Sequence, residues 1–301
     1  TRYIADCIYE KNYTYILNAY YGSLFFVLPV AAIIAGIFLF SLDESFFYKA
    51  VAYLFFVELV VIWTQNVFMS ALKDYKRIFR SFAFAVLLSI IVSFLLFKLT
   101  TLSPVIIALL GMDVGFASII IFSAFHFEHL FPSSQNNRYF AYFSIAKRYP
   151  SIFISGVLLY SGVYIHNLVY WFLSDSPTIV AGQYYLMPFY DVPVFYAYLS
   201  VLPSLIFFVV IIETDFYERF LSYYKNITEG GTYESVQTAK KKMQRVLIKR
   251  MGFLAEVQLL FTALAIAVGI LYLSKIGFTM EQLDVFITLC LAYFFFILMF
   301  V

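Results

Sequence analysis

Eight long apolar runs constrain the fold of this chain more than any other feature of its sequence. A helix needs about 20 mostly apolar residues to cross a bilayer. The runs are Tyr20–Phe40, Ala50–Met69, Phe82–Phe97, Pro104–Phe125, Ser151–Leu173, Val194–Ile212, Gly252–Leu273 and Leu283–Val301. With 63% hydrophobic and 13% charged residues, the chain is too apolar for a soluble domain. Because the runs lack the alternation of an outer-membrane barrel, we predict an all-α polytopic membrane helix bundle.

Lysine and arginine residues predict the orientation of these spans. Successive segments between the spans lie on opposite sides of the membrane. The segments on the side of the first residues carry 17 basic residues in total, and those on the other side carry 3. The segment Glu213–Met251 alone has eight of them. Since basic residues accumulate in cytoplasmic loops, we expect the first residues of the chain to lie in the cytoplasm. The net charge of +2 gives no reason to expect a nucleic-acid partner.

The ends of the chain and its two cysteines lead to further expectations. The chain starts at Thr1 without an initiator methionine or a signal-peptide pattern, and it stops at Val301 inside an apolar run, so we expect a fragment of a longer protein. Cys7 and Cys290 lie far apart, which predicts no disulfide. The sequence has no Walker loop, no GxGxxG and no Ser/His/Asp pattern, so we expect neither an enzyme nor a cofactor.

Two carboxylic acids lie near the centres of apolar runs. Glu58 lies near the centre of the second run, and Asp113 lies near the centre of the fourth, between Gly111 and Gly115. Ionisable residues at this depth usually face a bundle interior, a partner or a water-filled path. We therefore consider them candidates for a substrate or proton pathway, and equally for hydrogen bonds to a neighbouring helix or to each other. The two glycines share a helix face, and close helix packing explains them without a ligand.

His166, Asn167 and Trp171 form a second group of pathway candidates, in the outer half of the fifth run. A histidine there is able to bind a sugar hydroxyl or to hold two helices together by a hydrogen bond. Aromatic residues make up 22% of the chain, and they serve either as interfacial anchors or as platforms for sugar rings. Pro203, in the middle of the sixth run, predicts a kink.

A histidine-rich segment lies at the cytoplasmic end of the fourth run. His126, Glu128 and His129 form HFEH, in which the histidines are three residues apart. This spacing differs from HExxH, and no further ligand is near in the sequence, so we predict no metal site.

The long basic segment contains an acidic cluster followed by an amphipathic stretch. Glu213, Asp215 and Glu218 lie where a membrane helix ends, and carboxylates there oppose the helix macrodipole. They therefore predict a basic partner, either Arg219 or a neighbouring loop, in a cytoplasmic gate or a partner site. Val236–Arg250 has the pattern of a basic amphipathic helix, which suits either the anionic membrane surface or a cytoplasmic partner.

Three blocks of the sequence resemble the PelG family, the inner-membrane proteins of Pel exopolysaccharide export. The first is the opening TRYIADCIYEKN, the second is YIHNLVYWF, and the third runs from MPFYDVPVF to ITEGGTYESV. The third block carries a Tyr-Asp pair, a mid-helix proline, the acidic exit ETDFYE and a Gly-Gly pair. The helices between these blocks are generic apolar sequence.

The PelG family is similar to the flippases of the MOP superfamily, which have twelve helices in two six-helix lobes. The resemblance implies that this chain supplies eight of the twelve. Residues 1–125 would then form the latter part of the first lobe, 126–150 a cytoplasmic linker, and 151–301 the first part of the second lobe, with a cytoplasmic loop at 213–251.

The resemblance also implies a function in the bacterial inner membrane: export of a cationic, amino-sugar-rich polysaccharide for the biofilm matrix. The partners it implies are a cytoplasmic glycosyltransferase and cyclic-di-GMP-responsive membrane proteins, besides the polysaccharide and membrane lipid. Two alternatives remain open, a non-transporting scaffold of the polysaccharide synthase and a flippase of lipid-linked sugars.

Overall fold

A computed structural model describes residues 2–72, 75–131, 138–175, 177–211 and 215–300 of the chain. Nearly all of the described chain is helical. The helices before the first strand are α1 Arg2–Tyr9, α2 Thr14–Phe40, α3 Phe46–Ala71, α4 Tyr75–Leu99, α5 Pro104–Leu130, α6 Phe143–Arg148 and α7 Pro150–Leu173. Two short strands, β1 Thr178–Val180 and β2 Tyr184–Leu186, then pair with each other. They are followed by α8 Pro188–Leu199, α9 Leu202–Ile211, α10 Tyr217–Thr228, α11 Tyr233–Tyr272 and α12 Met280–Phe300.

Eight helical segments among the described residues are long and apolar enough to cross a membrane, which confirms the predicted bundle. Several of these helices are longer than the apolar runs, because polar and aromatic residues at the ends of the runs continue the helix. The third run was the shortest in the sequence, yet its helix spans Lys76–Leu99. Most of the apolar side chains on these segments are exposed in the isolated chain, as expected for surfaces that contact lipid.

The described chain divides into two compact units. The first comprises Thr1–Tyr164 and Ile179–Tyr184. In it, α3 packs against α2 and α5, and α4 packs against α5. The short helix α1 adds Ile4 and Cys7 to a core that also contains Tyr20, Phe68 and Phe127. Burial raises the pKa of the Cys7 thiol, which keeps it in the unreactive protonated form.

Two glycines of α5 allow α4 to approach closely. A β-carbon on Gly115 would lie 2.7 Å from the carbonyl oxygen of Ala85, and one on Gly111 would lie 2.8 Å from that of Ser89. Ala85 and Ser89 are four residues apart on α4, as the glycines are on α5, so two faces of small residues meet. This contact confirms the interpretation of the glycines as packing residues.

The second unit comprises Ile165–Thr178 and Tyr185–Val301. In its core, Ala197 and Val201 pack against Phe286 and Cys290 of α12. The sixth span is interrupted between α8 and α9, immediately before Pro203. Proline has no N–H group and its ring collides with the carbonyl four residues earlier, so a regular helix ends here. The predicted kink at Pro203 is therefore present as a break.

The basic amphipathic segment Val236–Arg250 is part of α11, a single helix of 40 residues that continues into the seventh span. Gly230 has a φ of 74° and Thr232 accepts a hydrogen bond from the Ser235 N–H, which together fix where α11 begins. Gly252 lies between the basic part and the apolar part, but a single glycine costs a helix only about 1 kcal/mol and does not end it. The predicted helix over Val236–Arg250 is therefore present as the first part of a membrane-spanning helix, and α10 packs along this basic part.

Candidate functional site

The predicted carboxylic acids Glu58 and Asp113 lie close together inside the first unit. Glu58 on α3 is 8% exposed, and Asp113 on α5 is 4% exposed. The helices that carry them, α3 and α5, pack against each other. Among the described residues, Glu58 Oε2 and both carboxyl oxygens of Asp113 have no hydrogen-bond partner. These three atoms therefore do not form the structural hydrogen bonds that were the alternative to a pathway role.

A buried carboxylate with no basic partner is costly in a low-dielectric interior. Burying two such groups in one pair of packed helices lowers stability, so stability does not explain why both are present. A ligand that carries positive charge, or a proton, would neutralise them. The pair is therefore suited to binding a cationic group or transferring protons within the helix bundle.

Gln65 holds the helices around the carboxyl pair together. Its Nε2 donates a hydrogen bond to the Tyr20 hydroxyl at 2.9 Å and another to the Ile120 carbonyl at 3.1 Å. One amide thus connects α3 with α2 and α5. We did not predict a role for Gln65 from the sequence, although an amide within an apolar run is itself a signal of a polar contact inside the bundle.

His166 and Trp171, predicted from the sequence, lie beside two residues of α8 in the second unit. His166 Nδ1 is 3.1 Å from the Tyr190 hydroxyl, and Tyr170 stacks on the Tyr190 ring at 3.6 Å. Trp171 Nε1 donates to both carboxylate oxygens of Asp191, at 2.9 and 3.0 Å. This cluster, formed by the end of α7 and the start of α8, combines stacked rings with a carboxylate.

The Asp191 carboxylate also fixes the start of α8. It accepts a hydrogen bond from the backbone N–H of Met187, the residue before α8, at 2.7 Å, as the reciprocal bond of a capping box does. Asn167 is partly buried, and its Oδ1 has no hydrogen-bond partner among the described residues. Trp171 thus has a structural contact, whereas Asn167 retains an acceptor for a ligand.

The acidic cluster of the long basic segment has a basic partner, as predicted, although the partner differs from the two that the sequence suggested. Asp215 forms an ion pair with Arg250 of α11. Glu218 and Arg219 lie beside this pair and, together with Lys249, line a cavity of about 200 Å³. Glu213, the remaining candidate, lies outside the described residues. The charge thus comes from neither Arg219 nor a neighbouring loop but from the far end of the same segment, where Arg250 lies next to the apolar part of α11.

A polar cluster at the helix break of the second unit was not predicted. Gln258 of α11 is fully buried, and its Nε2 donates to Thr262 Oγ1 at 3.0 Å and to the Ser200 carbonyl at 3.4 Å. Ser200 belongs to the interruption that precedes Pro203. A broken helix leaves carbonyls without intrahelical partners, and the Gln258 amide satisfies one of them. The signal that we missed was a glutamine opposite a mid-span proline.

Comparisons with known proteins identify the family. A family model described as "PelG: Putative exopolysaccharide Exporter (EPS-E)" matches residues 1–301. No curated protein and no solved structure gives a match. The match extends over all eight membrane-spanning segments as well as the three blocks that carry the resemblance. This chain therefore belongs to the PelG family of exopolysaccharide exporters and is a multi-pass membrane protein of polysaccharide export.

Proposed function

We propose that the chain exports a cationic, amino-sugar-rich exopolysaccharide of the Pel type across the bacterial inner membrane, for the biofilm matrix. The observation that carries this proposal is the buried pair of Glu58 and Asp113, which lacks a cation within the described bundle. Protonated amino sugars would supply the missing positive charge. The basic segments would face the cytoplasm, as the distribution of lysine and arginine predicts.

In this proposal the remaining polar groups guide the sugar chain. The Oδ1 of Asn167 is an unused acceptor for a sugar hydroxyl, and the stacked rings of Tyr170 and Tyr190 offer an aromatic face. His166 and Trp171 hold that face in place through their contacts with Tyr190 and Asp191. Eight spans would then be part of a twelve-helix transporter of the MOP type.

Transport by the purified full-length protein in liposomes tests this function directly. Liposomes containing the protein should accumulate fluorescently labelled, partly deacetylated oligosaccharides of an N-acetylated amino sugar without any partner protein. Fully acetylated oligosaccharides, which lack the positive charge, should accumulate several-fold more slowly. Equal rates for both would contradict the charge-based selection, and a dependence on lipid-linked sugar would favour the flippase of lipid-linked sugars.

A scaffold for the polysaccharide synthase is the second candidate, and one observation favours it. The basic part of α11 exposes Lys240, Lys241, Lys242 and Arg245. Such a surface suits an acidic cytoplasmic partner, with a glycosyltransferase or a cyclic-di-GMP-responsive membrane protein as the candidates. Liposomes that contain the protein yet move no sugar, under conditions in which it binds those partners, would favour the scaffold over the exporter.

The ion pair of Asp215 and Arg250 is proposed as a gate latch, and a charge swap tests it. Asp215→Arg or Arg250→Asp alone places like charges together, so each is expected to alter the transport rate, whereas the double swap restores it. The effect on unfolding should be small, about 0.2–1 kcal/mol, because both side chains are partly exposed. Transport effects that simply add in the double variant would exclude the latch.

A further inference from the structure

A basic cavity between α4 and α5 is not used by the proposed transport function. It has a volume of about 970 Å³ and lies in the first unit. Lys76, Arg77 and Arg80 line it from α4, and His126 and His129 line it from α5. None of its described lining residues is acidic. The cavity therefore concentrates positive charge at the predicted cytoplasmic ends of two membrane-spanning helices.

The histidine segment HFEH is divided between two surfaces. Its histidines face the basic cavity, whereas Glu128 accepts a hydrogen bond from the Tyr21 hydroxyl of α2 at 2.5 Å. Within the described residues, no three His, Cys, Asp or Glu side chains come together as metal ligands. The charged residues that line the cavity with the histidines are all cations, so the cavity favours an anion.

The position of the basic residues on α4 adds to this attraction. Tyr75 begins the helix, so Lys76, Arg77 and Arg80 lie in its first turns, where carboxylates are normally preferred. Basic side chains there repel the positive end of the helix dipole. An anion in the cavity would be attracted by the side chains and by the helix end together, and it would relieve the repulsion.

The apolar part of the cavity indicates what kind of anion it holds. Phe84 of α4 lines it together with Phe122 and Phe125 of α5, and all three side chains are exposed on surfaces that face lipid in a membrane bundle. Basic pockets between spans on the cytoplasmic side bind lipid headgroups. We propose that this cavity binds the phosphate headgroup of an anionic membrane lipid, whose acyl chains lie against the three phenylalanines.

Lipid binding to the purified full-length protein in detergent tests this proposal independently of transport. Native mass spectrometry with added dioleoylphosphatidylglycerol should show a lipid adduct that dioleoylphosphatidylcholine does not form at equal concentration. The double variant Lys76→Gln with Arg80→Gln should bind phosphatidylglycerol about 30-fold more weakly. Both side chains are exposed, so the replacement leaves the core of the unit unchanged.

Two further variants and one further probe complete the test. Arg80→Lys keeps the charge and should retain binding within a few-fold, and Lys240→Gln with Lys241→Gln removes two charges outside the cavity and should leave binding unchanged. Unaltered phosphatidylglycerol binding by the Lys76→Gln, Arg80→Gln variant would overturn the site. Inorganic pyrophosphate binding as tightly as the lipid would overturn the assignment to a membrane lipid in favour of a soluble phosphate.

Discussion

A chain carrying Glu58→Gln together with Asp113→Asn is expected to export polysaccharide at least about tenfold more slowly than the wild type at equal expression. The replacements keep the shape of both side chains and remove both negative charges. A charge contact at about 4 Å is worth about 4 kcal/mol at an effective dielectric constant of about 20, and about 1.4 kcal/mol corresponds to a factor of ten. Secreted polymer measured against membrane-inserted protein provides the readout.

The same variant separates function from folding. Because burying the carboxylates costs desolvation energy that the amides largely avoid, thermal stability should stay the same or increase. A variant that loses export but is at least as stable as the wild type indicates that the replaced residues serve function and lower stability. Asp284→Asn is the matched control, since it removes an exposed carboxylate of α12 and should export normally. Wild-type export by the double variant would remove Glu58 and Asp113 from the pathway.

The eight spans could be predicted from the sequence because the bilayer imposes a length and a polarity that single segments must satisfy alone. The break at Pro203 and the packing role of Gly111 and Gly115 followed from equally local chemistry. Glu58 and Asp113 could be identified as candidates because a charge inside a span is rare. That both lie in one pair of packed helices could not be predicted, because it depends on how α3 and α5 pack.

Features that join distant parts of the chain could not be predicted from the sequence either, because they too depend on how the helices pack. The partner of Asp215 is 35 positions away at Arg250, and no local pattern distinguishes it from the other basic residues of that segment. The continuity of α11 was missed because the pattern changes from amphipathic to mostly apolar near Gly252, although a single glycine does not end a helix. Gln65 and Gln258 were overlooked because an amide costs less to bury than a charge and is therefore a weaker signal within an apolar run.

Gly115→Ala is expected to destabilise the first unit by about 1–3 kcal/mol, although alanine is the better helix former. The added β-carbon would lie 2.7 Å from the backbone carbonyl oxygen of Ala85, and backbone cannot rotate away as a side chain can. The Ser89 side chain, which the β-carbon would also meet, has alternative rotamers, so the Ala85 carbonyl determines the cost. Thermal unfolding of the purified protein, followed by tryptophan fluorescence, measures the change.

Gly36→Ala is the matched control, because a β-carbon on Gly36 of α2 meets nothing within 4 Å. There the helix propensity of alanine acts alone, so this variant should be more stable than the wild type, by up to about 1 kcal/mol. The two substitutions are chemically identical and lie in spans of the same unit. Only the difference in packing predicts that one lowers stability and the other raises it. An equal effect of both on the unfolding temperature would show that α4 and α5 are not in close contact at Gly115. The basic cavity at the ends of the same two helices would then lose its geometric support as well.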